Sequence, residues 1–549
     1  MKQLVLAATC LAALTAQAQV PASCDQPREI DRYQLLRRLS LDLRGRVPTL
    51  AEYEALDAQQ SVPQSTIRSF VQSDDFRRAM RSYHEDLFWP NVTNVQLNNT
   101  NSILVMRNGE PAWSIASTGR RRTLRGDADI DTAMHGRTCG DYEQTHFLPG
   151  GGFRPDPAFV YTTTQGGVTL KQEGWRMVAP YWDPANPIKV CAYDAQETAS
   201  VTVGGRTVPC YDATGFNNAA CGCGPGLVNC FGPAANVSRV VLTSLREQLG
   251  RSVDKVTTGG RPYTDLILST RADLNGPINQ WKKTFSQNYS LNRVYSLPDD
   301  AEQLSNTLKF TDTNTWADVD RGPMHAGVTT LPGYLLRFQT NRGRANRFRI
   351  DFECQSFVPP SDVEAPGTNG CQADGTDLTR RCTCRYCHQL LEPLASHWGQ
   401  FAEAGTTFLS VLPGQGTSSV GTFYKKAPNC VGSNSAFCNR FYVTATDADN
   451  PGALLAYQYD DAQHTDIGAA LSGGPRKRAQ EIVNNGVFAR CAVKRVFRNF
   501  VKRDMRVEGA TTDELQLLTQ LSDGFKTNGY SFPWLVEQVV SLPQYRRVR

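Results

Sequence analysis

The run Cys384-Arg385-Tyr386-Cys387-His388 restricts this chain more than any other stretch. Two thiols three residues apart project from one side of a helical turn, and an imidazole follows directly. In an exported chain this C-x-x-C-H order is the attachment signature of a covalent c-type haem. The sulfurs of Cys384 and Cys387 add to two vinyl groups of a single porphyrin, and His388 is placed to give its imidazole to the iron. With 16 cysteines and seven histidines in 549 residues, such a run arises by chance on the order of once in a hundred chains or more rarely.

The N-terminus supplies the compartment that this reading needs. Lys2 is the positive end of a secretory signal, Leu4 to Leu14 is almost all apolar, and Ala16-Gln17-Ala18 is a cleavage site. Residues 1–18 are therefore expected to be removed, leaving a chain in the periplasm or at the cell surface or beyond. Cys10 leaves with them. Setting aside Cys10, Cys384 and Cys387 from the 16 cysteines leaves 13, which an oxidising space turns largely into disulfides. An odd number implies at least one further thiol or an unidentified partner. Cys430 and Cys438 are the best local pair, across a short loop rich in Gly, Ser and Asn. Spacing does not determine the partners of Cys191, Cys210, Cys221, Cys223 and Cys230.

A length of 549 residues suggests roughly three domains. A net charge of +5 gives no reason to expect nucleic acid. No later stretch reaches 18 continuous apolar residues, so no transmembrane segment is expected; peripheral membrane association and oligomeric state stay open. Arginine is clustered at Arg120-Arg121-Arg122 with Arg125, at Arg342 to Arg349, and at the C-terminus. The plain reading is solvated surface or carboxylate pairing; the sharper one is a docking face for an acidic partner, or counter-charges for haem propionates.

Patterning predicts a mainly α, multi-domain chain with β-rich, disulfide-containing insertions. After the signal come an N-terminal helical module (19–90), a cysteine-rich loop and β insertion (91–237), a helical segment (238–350), a haem module with a β insertion (351–470) and a C-terminal helical module (471–549). Helices are expected from Glu29 to Leu43, stopped by Gly45; after Thr49 with Glu52 closing a capping box; and from Ser73, with Phe76, Met80, Tyr83 and Leu87 on one face. Val201 to Val208 reads as a hairpin turning on Gly204-Gly205. Helical periodicity returns at Ser238 to Leu249, and a Ser531-capped helix carries Trp534, Leu535 and Val539. Thr406 to Ala445 has strand character. Asp127, Asp129 and Asp131 imitate a calcium loop without its glycine and terminal glutamate, and read as an acidic turn. Cys221-Gly222-Cys223 lacks a following histidine and reads as a disulfide knot rather than a second haem site.

Three blocks carry a family likeness. Arg38-Leu39-Ser40-Leu41-Asp42-Leu43-Arg44-Gly45-Arg46-Val47-Pro48-Thr49 with Glu52 is the first. Met324-His325-Ala326-Gly327-Val328-Thr329 followed by the arginine-rich Arg342 to Arg347 is the second. The third is the haem run continued through Glu392-Pro393 to Phe401. Together they resemble the planctomycete-type cytochrome c proteins, exported multi-module chains of unknown function with a C-terminal C-x-x-C-H motif. The likeness extends to the surroundings of Cys354 and Cys491 and covers about half of the chain, but not the cysteine-rich middle.

Two other readings compete for the motif: a zinc site drawing on Cys371 or Cys382 with Cys384, Cys387 and His388, and plain disulfides. If haem is bound, the sixth iron position decides the function. Met324 and His325, in a glycine-flanked loop of the likeness, are the preferred candidates. His397, nine residues beyond His388, is about 13.5 Å along a helix and faces away, so it reads as a packed or surface residue. His135, His146, His464, Met134 and Met505 stay open. Tyr386 and Trp398 read as covers for the porphyrin edge. The expected function is an exported single-haem c-type cytochrome acting in electron transfer with a redox partner protein or small carrier. The alternatives are a haem-dependent oxidoreductase acting on peroxide or an organic substrate at an open iron, and an extracellular binding or scaffold protein carrying a haem.

Overall fold

The computed structural model describes residues 28–92, 95, 97, 103–106, 112–115, 139, 142–165, 168–210, 215, 218, 220–285, 304–356, 382, 384–399, 401, 405–406, 465–507 and 512–548. The described residues are about half helical, with small sheets and several disulfides. It divides into two compact units, residues 1–80 with 493–549, and residues 81–492. Among the described residues no helix is long and apolar enough to cross a membrane.

In the first unit the first and last described stretches meet. Arg28–Glu29 pairs antiparallel with Arg547–Val548, and Tyr545 donates its hydroxyl to Asp42 at 2.9 Å. This pairing moves the first helix to Arg32–Arg44 rather than Glu29–Leu43. The Asp31 carboxylate accepts from the amides of Tyr33 and Gln34, closing a capping box that fixes the start. Gly45, at φ 66°, stops the helix as expected. Thr49 and Glu52 form the anticipated box on Leu50–Asp57. A helix over Gln64–Val71 is additional to the expected set; its eight residues are too few for periodicity to announce it. Ser73 caps the next helix, Asp74–Phe88, accepting from the Phe76 amide at 3.1 Å. Leu36, Leu39, Leu43 and Phe76 are buried, as are Phe532, Leu535 and Val539 on the Ser531-capped helix Phe532–Ser541.

The second unit opens on the cysteine-rich part. Leu104–Met106, Trp113–Ile115, Ile188–Cys191 and Trp175–Val178 form one four-stranded sheet in that order. Ser200–Val203 and Arg206–Pro209 make the predicted hairpin about Gly204 and Gly205, both at positive φ. Three disulfides staple this part: Cys139–Cys191, Cys210–Cys221 and Cys223–Cys230. Cys223 and Cys230 lie inside the core that Leu104, Ile115, Val190 and Leu227 build between these short strands. The helix expected at 238–249 runs over Ala234–Thr257. Its buried Val237, Val241 and Leu245 share a core with Leu274, Ile278, Trp281 and Phe310, beside the antiparallel pair Arg271–Asn275 and Trp316–Asp320. The arginine clusters at 120–125, the acidic turn at Asp127, the Cys430 and Cys438 pair, and the strands expected beyond Thr406 lie outside the described residues.

Candidate functional site

The haem-type motif occupies the first turn of the Arg385–Ala395 helix. The Cys384 carbonyl accepts from the amides of Cys387 at 3.2 Å and His388 at 3.1 Å. At about 100° per residue, Cys387, Cys384 and His388 fall within one sector of about 100° on the helix. All three are partly buried. Neither Cys384 nor Cys387 is in a disulfide, whereas the other nine described cysteines all are. The nine include Cys382, so a zinc set using that sulfur is ruled out: a disulfide sulfur has no thiolate to offer.

Beyond the motif the helix is anchored by its far end. Pro393 lies within its last turn, and Ser396–Trp398 tightens into a 3₁₀ turn. Trp398 is fully buried. Its indole N–H donates to the Thr329 carbonyl at 3.2 Å, and its ring meets Phe348 edge-on at 5.5 Å. Trp398 thus joins the core that holds the helix. Tyr386, by contrast, is 53% exposed.

Thr329 belongs to the Gly327–Thr330 turn that follows the candidate sixth ligands. His325 is 3% exposed and packs its ring edge-on to Phe401, with centroids 5.4 Å apart. Met324 reaches Gly474, where a side-chain methyl would lie 2.8 Å from its Cε. His397 reaches the same glycine, with Nδ1 2.8 Å from the Gly474 carbonyl oxygen. A carbonyl only accepts, so Nδ1 carries the proton. Burial lowers the His397 pKa to about 4, keeping the ring neutral. His397 is therefore a packed residue, as its spacing from His388 implied. Gly474 itself was missed in the sequence, although Gly473-Gly474-Pro475 inside an otherwise helical stretch is a breaker signal. Its φ of 61° and ψ of −170° interrupt the Thr465–Asn484 helix.

The Arg342–Arg349 cluster follows the carboxylate-pairing half of the plain reading, at Arg347–Asp351 and Arg349–Glu353, rather than the solvated half. Thr340 caps the Asn341–Phe348 helix and turns Arg344 into the protein, where it is 0% exposed. The Arg344 guanidinium donates to the carbonyls of Phe338, Phe401 and Gly405 and to the Asn341 side chain. Arg347 pairs with buried Asp351 at 2.8 Å. A buried guanidinium needs its donors satisfied, and Arg344 spends them fixing the backbone just after the motif helix.

A cavity of about 320 Å³ adjoins this helix, lined by Leu390, Leu394, His397, Arg349 and Lys477 among others. Leu390 and Leu394 lie roughly 160° and 120° around the helix from His388, so the cavity is not on the side of the helix that carries His388. Of the remaining histidines and methionines, His146 stacks on Phe159 and Met505 is buried; His135, His464 and Met134 lie outside the described residues. Compared with family models, curated proteins and solved structures, the chain finds no match in any of the three.

Proposed function

We propose that the chain is an exported c-type cytochrome carrying one covalent haem and passing single electrons to and from a redox partner; the resemblance to the planctomycete-type cytochrome c proteins supports the haem and leaves the activity to the site. The observation that carries the reading is the cysteine chemistry. Nine described cysteines are in disulfides while Cys384 and Cys387, side by side at the start of one helix, keep thiols. Thioether formation consumes thiols, and a disulfide between these two would block it.

In this reading Cys384 and Cys387 hold the porphyrin and His388 is the proximal iron ligand. Haem c supplies one-electron iron chemistry when bound. The protein's part is to orient the motif helix, through Trp398 and Arg344 at its far end and the crosslinked Cys382 at its near end. Met324 or His325 is the proposed sixth ligand, since the loop that carries them packs on residues 398–401 directly beyond the helix.

The test is the intact mass of protein exported from a host with a haem-attachment system. A gain of one haem, lost in the Cys384→Ser/Cys387→Ser double variant, is expected; an unmodified mass for the parent chain overturns the proposal. Ligand addition then addresses electron transfer. A six-coordinate spectrum that resists CO and cyanide is expected, and rapid binding of both to an open iron refutes electron transfer in favour of an oxidoreductase.

A further inference from the structure

The cysteine-rich part carries a second surface with its own chemistry, far in sequence from the motif. Residues 142–161 present aromatic rings to solvent: Tyr142 is 37% exposed, Phe147 62% and Phe159 47%. Two of these are stiffened by stacking. Tyr142 lies parallel to Tyr161, with centroids 4.9 Å apart and planes 8° apart, and Phe159 lies on His146 at 3.9 Å and 6°. In each pair one face is taken, which holds the ring flat at the surface.

Beside them is a cavity of about 520 Å³ lined by Glu143, Thr145, Phe147, Phe153, Arg176 and Glu197. Its walls are fixed. The Phe153 amide donates to Glu197 at 3.0 Å, and the Arg176 guanidinium lies over the Phe153 ring at 4.1 Å and 3.9 Å from Glu197. Gly152, at φ 67°, closes on Glu197; a side chain there would press on it at 3.3 Å. Glu143 makes no ion pair among the described residues, and its carboxylate is exposed.

We propose that this cavity binds a neutral oligosaccharide. A pyranose has one flat C–H face and a rim of hydroxyl groups. Phe147 offers the cavity an exposed apolar ring, with the stacked rings of the same segment outside its lining, and Glu143, Thr145, Arg176 and Glu197 offer acceptors and donors at the rim. Arg176 offsets Glu197, so among the described residues lining the cavity the unopposed charge is the Glu143 carboxylate. That charge repels uronate, sulfate or phosphate groups and leaves hydroxyls as the preferred donors. The cavity falls in the range of small-ligand sites, about 300–1,000 Å³, whereas a stable protein partner calls for roughly 800 Å² of contact on each side. The proposal does not rest on the haem.

Isothermal titration of the full chain with cellohexaose, xylohexaose and mannohexaose tests it. Saturable binding of at least one is expected, weakened about tenfold by Phe147→Ala and tenfold or more by Glu143→Gln. Phe147 is exposed and Glu143→Gln is nearly isosteric, so both variants keep the parent unfolding transition. No binding of any of the three at millimolar concentration, or binding indifferent to both substitutions, overturns the proposal.

Discussion

Replacing Gly474 with alanine tests the packing around the motif helix most directly. At φ 61° and ψ −170° the residue occupies a backbone region that is essentially glycine-only, and forcing another residue into it costs about 1–3 kcal/mol. The new methyl would also lie 2.8 Å from Met324 Cε and 3.4 Å from the Met324 carbonyl. The flexible thioether end can give way, so this overlap adds little. If the peptide turns to relieve the strain, the Gly474 carbonyl leaves His397 Nδ1, now 2.8 Å away. A buried ring then loses its acceptor, at about 1–3 kcal/mol more. The expected loss is roughly 2–6 kcal/mol, read as a drop in the calorimetric transition. Gly45→Ala is the comparison: Gly45 also has positive φ but meets nothing within 4 Å, so it loses only about 1–2 kcal/mol. If Gly474→Ala were no more damaging than Gly45→Ala, the reasoning would fail. If the proposed haem is attached, a spectral shift in Gly474→Ala that is absent from His397→Gln is the expected sign that Met324 rather than His325 is the proposed sixth ligand.

Three further perturbations follow from the same packing. Cys354 and Cys491 are bonded across 137 residues that include the whole motif; loop entropy alone assigns the crosslink about 5 kcal/mol, so Cys354→Ser/Cys491→Ser should lower the thermal transition sharply, and an unchanged transition refutes the role. His397 is held neutral with its pKa near 4, below the unfolded value of about 6.5. The folded state then binds fewer protons between those values, so stability falls as pH drops from about 6.5 to about 4 and levels off below, by up to about 3 kcal/mol; unfolding at pH 7 and pH 4.5 should show the slope in the parent and lose it in His397→Gln. Arg344→Met removes donors to the Phe401 and Gly405 carbonyls and should destabilise the protein by about 2–6 kcal/mol, at about 1–3 kcal/mol for each buried acceptor left unsatisfied; a loss under 1 kcal/mol in chemical unfolding would contradict the buried network.

Much of what is local was legible in the residues. Asp74–Phe88 starts behind Ser73, Leu50–Asp57 behind Thr49, and Phe532–Ser541 behind Ser531, because a cap is decided by groups two or three positions apart. The Gly204-Gly205 hairpin and the Gly45 stop are equally local, and so is the sector shared by Cys384, Cys387 and His388, which follows from helical geometry alone. Only the tertiary structure decided the rest. The partners of Cys191, Cys210, Cys221 and Cys223 depend on which chain segments are brought within about 5 Å, and spacing holds no record of that. Arg344 reads as surface by type but is buried, because carbonyls at 401 and 405, some 60 positions away, arrive to meet it. The meeting of Met324 and His397 at Gly474 is of the same kind. A motif states what chemistry its atoms can perform with their immediate neighbours, while contacts between distant segments exist only once the chain has closed its loops.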